Sequence, residues 1–213
     1  MRMIQRRRVV HALAASVVCV LLAALPGTAT ASASESTSDF VKTLGDRAIE
    51  LLTVQHITEA ERETRFRLLL QEGFAVRRIG RFVLGRYARK ADADIIRQYN
   101  KLFEDLIVVT YASQFAQYSG QTFAIRRATK PTRRGDSIVL TEIASADGGP
   151  PIRVDWQVNN AKGQNKIVDV RIEGVSMSVT QREEFTTVIR QNNGDINALL
   201  KALRKKIAYL KSK

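Results

Sequence analysis

The chain has 213 residues, with 34 lysines and arginines against 21 aspartates and glutamates, and a formal net charge of +13. Its single cysteine excludes an intrachain disulfide framework, so a hydrophobic core must stabilise the fold. The basic pairs are scattered and are not interleaved with stacking aromatics, so we predict no nucleic-acid partner. A solvated basic surface is expected instead, with attraction to anionic membranes or to an acidic partner as the alternative.

Residues 1–31 have the pattern of a signal peptide. A basic start is followed by an apolar run, "HALAASVVCVLLAAL", and by the small residues of "TATASA". The run is short for a transmembrane helix, which needs about 20 residues. We predict cleavage near Ala31 or Ala33, which removes four arginines and Cys19 and lowers the net charge from +13 to +9. The exported remainder, residues 36–210, is predicted to be a single domain.

Apolar residues recur at helical spacing in several segments of this domain. Helices are predicted over about residues 39–54, 58–73, 92–118 and 180–191, and from Asp195 onward. Capping boxes are predicted at Thr58 with Glu61 and at Thr180 with Glu183. The segment between 74 and 90 is expected to form short helical turns interrupted by Gly80 and Gly85.

Strand patterns begin after Gly120. Four strands are predicted over residues 121–128, 136–145, 151–159 and 166–176, joined by short turn-rich links. Such links favour antiparallel neighbours. We therefore predict an α+β fold in which helices pack on one face of a four-stranded antiparallel sheet.

The third and fourth strands separate an apolar face from a charged face. The apolar sets are Ile152, Val154, Trp156 and Val158, and Val168, Val170 and Ile172. The polar sets are Arg153, Asp155 and Gln157, and Asp169, Arg171 and Glu173. Interleaved opposite charges are typical of a solvent-exposed face with ion pairs, so the apolar face is expected to meet the helices. A filled core and a ligand cavity give this same pattern.

No catalytic or metal-binding pattern stands out. His56 is the only histidine after the predicted cleavage, and it lies at a helix junction without a nucleophile motif. No cluster of His, Cys and Asp has metal-ligand spacing. The stretch "GVSMS" lacks the second glycine of a nucleophile elbow. We predict neither enzyme activity nor a cofactor.

Four stretches resemble the MlaC family, also called toluene-tolerance proteins. They are "FVLGRY" from Phe82, "YSGQTFAI" from Tyr118, "PPIRVDWQV" from Pro150 and "DVRIEGVSMSVTQREEF" from Asp169. The resemblance covers nearly the whole mature chain. It implies a periplasmic phospholipid carrier that shuttles between an inner-membrane ABC transporter and an outer-membrane lipoprotein–porin complex.

The resemblance also implies that acyl chains lie in an apolar cavity between helices and sheet, with the head group towards solvent. The residues expected to contact lipid are Phe82, Tyr99, Phe103, Leu106, Phe123, Ile125, Leu140, Val154, Trp156, Val170, Ile172 and Met177. Some relatives are associated with hopanoid synthesis, so a hopanoid is the alternative cargo. An exported lipid-modifying enzyme and a structural envelope-binding protein are the alternatives of other classes.

Overall fold

The described chain begins with a block of helices, continues with a block of strands and ends with two helices. The structure, a computed structural model, describes residues 36–212 except 145, 147 and 162. The predicted signal peptide lies outside these residues. The described α-helices are α1 (Thr37–Leu52), α2 (Glu59–Gly73), α3 (Val76–Leu84), α4 (Ala93–Tyr111), α5 (Met177–Gln191) and α6 (Ile196–Lys211). Short 3₁₀ helices, Gly85–Arg89 and Ala112–Gln117, follow α3 and α4. In this described range no helix is long and apolar enough to cross a bilayer.

The sheet is antiparallel and follows chain order. Its strands are β1 (Thr122–Ala128), β2 (Asp136–Ala144), β3 (Ile152–Asn159), β4 (Lys166–Ile172) and β5 (Val175–Ser176). The predicted α+β architecture is confirmed, but the described sheet has five strands rather than four. Glu173 and Gly174 both have positive φ, 50° and 83°, and their tight turn splits the predicted fourth strand into β4 and β5.

Gly80 does not interrupt α3, contrary to the sequence prediction. A Cβ atom at this position would lie 3.1 Å from the ring of Phe103, and the Tyr99 hydroxyl donates to the Gly80 carbonyl at 2.9 Å. The glycine therefore allows α3 and α4 to approach each other closely.

Helix α5 begins earlier than its predicted capping box. The Ser176 hydroxyl accepts the Val179 N–H at 3.1 Å, and the Asp169 carboxylate accepts the Ser178 N–H at 3.1 Å. Two side chains thus satisfy free N–H groups of the first turn. The predicted box at Thr180 is wrong, because its hydroxyl lies inside the helix and donates to the Ser176 carbonyl.

Two separate hydrophobic cores result. The helical core lies among α3, α4, α5 and α6, where the rings of Tyr99, Phe103 and Phe185 have centroids 5.7–6.2 Å apart. The sheet core joins Val41 of α1 to Val139, Val158 and Ile167 of the strands. Helix α1 packs against β1 and β2, whereas α4 packs mainly against α6.

Candidate functional site

The candidate site is the apolar face of the sheet, here called the inner face. Cross-strand pairing places Trp156 between Val139 and Val170, and Val154 between Thr141 and Ile172. The inner face comprises Phe123, Ile125, Val139, Thr141, Ile143, Ile152, Val154, Trp156, Val158, Ile167, Val170 and Ile172. A register shift in β4 brings Ile167, rather than the predicted Val168, opposite Val158.

Exposure changes along the inner face from one end of the strands to the other. At the closed end, Val139, Val158 and Ile167 are fully buried. Val154 in the middle is 5% exposed, while Ile172 and Ile152 at the open end are 36% and 49% exposed. Apart from the buried hydroxyl groups of Ser137 and Thr141, the face is therefore an apolar surface that begins in solvent and ends in the sheet core.

Trp156 occupies the centre of the inner face in a fixed orientation. Its indole N–H donates to the Thr141 hydroxyl at 3.0 Å, and that hydroxyl donates to the Val154 carbonyl at 2.6 Å. The rings of Phe74 and Phe123 pack edge-on against the indole, at centroid distances of 6.5 and 6.3 Å. The N–H of this partly buried indole needs an acceptor, and Thr141 supplies it.

Helix α1 covers the closed end. Phe40 and Leu44 pack on the sheet core. Helix α1 then continues towards the open end, where a Cβ atom added at Gly45 would lie 3.2 Å from the ring of Phe123. Arg47 of α1 pairs with Glu72 of α2, and the hydrogen bond from Arg47 lowers the pKa of the Glu72 carboxyl. The cover is therefore held by the α1–α2 pair.

The opposite, outer face carries the ion pairs. Arg126 pairs with Glu142 across β1 and β2 at 2.6 Å. The sequence predicts a solvent-exposed Asp169, but the residue is only 8% exposed. The first turn of α5 covers it, and the Ser176 hydroxyl donates to its carboxylate at 2.7 Å. Its role is to anchor α5 to β4.

The structure brings together half of the residues expected to contact lipid. The residues on the inner face are Phe123, Ile125, Val154, Trp156, Val170 and Ile172. Tyr99, Phe103 and Leu106 lie in the helical core instead. The sequence prediction groups them with the sheet because the stripe of α4 is apolar, but α6 and α5 pack against that stripe.

Three further predicted residues lie elsewhere. Leu140 is on the outer face, because it alternates with the inward Val139 and Thr141. Phe82 is exposed on α3 among arginines. Met177 is the half-buried first residue of α5.

Sequence reasoning missed the residues that meet the inner face from outside the strands. They are Phe40, Leu44 and Phe74, and the polar Thr141 was also missed. The apolar stripe of α1 was recognised, but periodicity does not say which surface a helix covers. Within the described part of the chain, no group of three or more His, Cys, Asp or Glu side chains could hold a metal ion.

Comparisons with known proteins identify a family and a shared fold. The family model described as MlaC protein matches residues 42–205. The toluene tolerance protein ttg2D of Pseudomonas putida is 18% identical over 126 residues, which span 59% of this chain and 58% of that protein. A phospholipid-binding protein of Ralstonia solanacearum, solved in complex with a phospholipid, has 22% sequence identity and a TM-score of 0.73. That match covers 83% of this chain and 99% of the other, so the two share a fold.

Proposed function

Because this chain belongs to the MlaC protein family, we propose that it is a phospholipid carrier whose cargo lies on the inner face of the sheet. The predicted family is confirmed by the match over residues 42–205. Support for the cargo comes from the Ralstonia solanacearum protein of the same fold, which was solved with a phospholipid.

The observation that carries this proposal is the open end of the inner face. Ile152 and Ile172 are partly exposed and lead without a polar interruption to Val154 and Trp156. Acyl chains laid along this path are removed from water, which contributes about 0.8 kcal/mol per methylene. The phosphate-bearing head group stays at the open end, because burying a charge without partners is costly.

Loading requires room near the closed end, where Val139, Val158 and Ile167 are fully buried. Phe40 and Leu44 of α1 lie over that part of the sheet. Acyl chains that extend past Trp156 therefore displace these side chains or shift α1, and they replace one set of apolar contacts by another.

The cellular setting is part of the same proposal. The signal peptide predicted in residues 1–31 and the family membership together support a periplasmic carrier. It exchanges lipid with an inner-membrane ABC transporter and an outer-membrane lipoprotein–porin complex. Binding and delivery, rather than catalysis, are the proposed activity.

The test is mass spectrometry of an organic extract from gently purified protein. Phospholipid should be present in roughly stoichiometric amount. Ile152→Asp should remove most of it, because burying a carboxylate against the acyl chains is costly. Ile152 is half exposed, so the added charge leaves the fold intact.

Thr122→Asp is the matched control. Thr122 is exposed at the same end of the sheet but points to the outer face, since Phe123 beside it points inward. This variant should keep its lipid. A hopanoid in the extract would identify a hopanoid, rather than a phospholipid, as the cargo. A folded wild-type protein without any lipid would refute the proposal.

A further inference from the structure

An arginine-rich depression of about 410 Å³ lies on the surface formed by α3, the following 3₁₀ helix and α5. The depression, here called the arginine pocket, surrounds Phe82 and Gly85. Its cationic residues are Arg78, Arg81, Arg86, Arg89 and Arg182. It is separate from the inner face and plays no part in the proposed cargo site.

The arginines of this pocket have no ion-pair partner among the described residues. Elsewhere Arg47, Arg67 and Arg126 each pair with a carboxylate. The stretch of residues 76–91 holds six lysines and arginines and no acid, so no acid within this stretch neutralises the pocket. Concentrated positive charge of this kind attracts an external anion.

Aromatic rings hold two of the guanidinium groups in place. Arg182 lies 5.0 Å from the centroid of the Phe82 ring, and Arg86 lies 5.1 Å from that of Tyr87. Gly85 has a φ of 59°, and a Cβ atom there would come within 3.1 Å of the Arg182 Nε. Stacking uses the face of a guanidinium group and leaves its edge N–H donors available for phosphate oxygens.

Exposed apolar side chains accompany these charges. Phe82 is 42% exposed and Val179 is 44% exposed, and Val179 lies one helical turn from Arg182 on α5. A free phosphate ion gains nothing from such neighbours. A membrane surface does, because its head groups carry phosphate and the layer beneath them accepts apolar side chains.

We propose that the arginine pocket docks the protein on an anionic lipid surface. Guanidinium groups bind the phosphates of several head groups while Phe82 enters the head-group layer. The inference goes beyond the proposed function, because it concerns a different surface and does not depend on which cargo the inner face carries.

The test is co-sedimentation with phosphatidylcholine vesicles that contain or lack phosphatidylglycerol. The wild-type protein should bind only the anionic vesicles. The triple variant Arg78→Gln, Arg81→Gln, Arg89→Gln should bind them about 100-fold more weakly, given the usual contribution of each basic residue near an anionic surface. Phe82→Ser should weaken binding about 10-fold by removing the inserted ring.

A control triple variant removes the same charge elsewhere. Lys130, Arg133 and Arg134 are exposed in the link between β1 and β2, and their replacement by Gln should leave most of the binding. Equal losses in the two triple variants would overturn the proposal in favour of general charge attraction. If the arginine triple variant fails to fold, an unchanged affinity of Phe82→Ser would overturn it.

Two other results would assign the pocket differently. Absence of wild-type binding to anionic vesicles would overturn the proposed docking on a lipid surface and leave an acidic protein as the partner. Displacement from vesicles by inorganic phosphate at matched ionic strength would indicate a site for free phosphate. The co-purified lipid of the arginine triple variant should equal that of the wild type, so failure of the docking proposal is distinguishable from failure of the cargo proposal.

Discussion

Trp156 is the only tryptophan of the chain, and it lies at the centre of the inner face. Its ring is oriented by one hydrogen bond, from the indole N–H to the Thr141 hydroxyl, and by the rings of Phe74 and Phe123. Thr141 is itself fully buried. A polar residue in an apolar face is therefore explained by the indole beside it.

Thr141→Val should destabilise the protein by about 1–2 kcal/mol, because valine has the same shape but leaves the indole N–H without its acceptor. Urea unfolding followed by Trp156 fluorescence measures the change. Thr122→Val, at an exposed outer position of β1, should have little effect. An unchanged unfolding midpoint for Thr141→Val would show that the hydrogen bond is unimportant.

At the scale of elements, the contact between α1 and α2 decides how firmly the inner face is covered. Gly73, the last residue of α2, lies directly against Leu44 of α1, where an added Cβ would come within 2.4 Å of a Leu44 methyl carbon. Arg65 of α2 also donates to the Leu51 carbonyl near the end of α1, at 3.0 Å. The two helices therefore behave as one cover, held by close packing and by a satisfied helix end.

Gly73→Ala should cost about 1–3 kcal/mol of stability, the usual effect of overpacking a close contact. In a Leu44→Ala background the same change should cost much less, because the methyl groups that it meets are gone. Chemical unfolding of the four proteins of this double-mutant cycle gives the coupling. Additive effects of the two substitutions on stability would contradict the contact between Gly73 and Leu44.

At the scale of the whole molecule, the energetics of the proposed cargo favour holding rather than releasing it. Two acyl chains with about 30 methylenes gain roughly 20 kcal/mol on leaving water. A bilayer offers nearly the same gain, so transfer between protein and membrane is close to neutral. Escape into water is strongly unfavourable, which suits a carrier.

Lipid-loaded protein should therefore keep its lipid through extended dialysis against buffer and lose it to acceptor vesicles. A fluorescent phospholipid reports the exchange, with buffer lacking vesicles as the control. Raised salt should slow delivery to anionic vesicles, because it screens the basic surface. Rapid loss into buffer alone would be incompatible with a carrier of this kind.

Much of the fold was predictable from local signals. The strand alternation of β3 placed Val154 and Trp156 on one face, and Asp195 was recognised as the cap of α6, where its carboxylate accepts the Asn197 N–H at 2.8 Å. These predictions succeed because periodicity and capping depend on neighbours in the chain. The Glu173–Gly174 turn was missed, since a non-glycine residue with positive φ gives a weak signal.

The sequence by itself determined most of the elements, the apolar face of the sheet and, through its motifs, the family. Only the tertiary structure decided which helix covers that face. Helices α1 and α4 both carry apolar stripes. Because hydrophobic burial is non-directional, either stripe is able to cover the apolar face of the sheet. The choice of α1 depends on contacts between residues far apart in the chain, such as Gly73 with Leu44 and Gly45 with Phe123. That choice sends Tyr99 and Phe103 to the helical core and leaves the open end at Ile152 and Ile172.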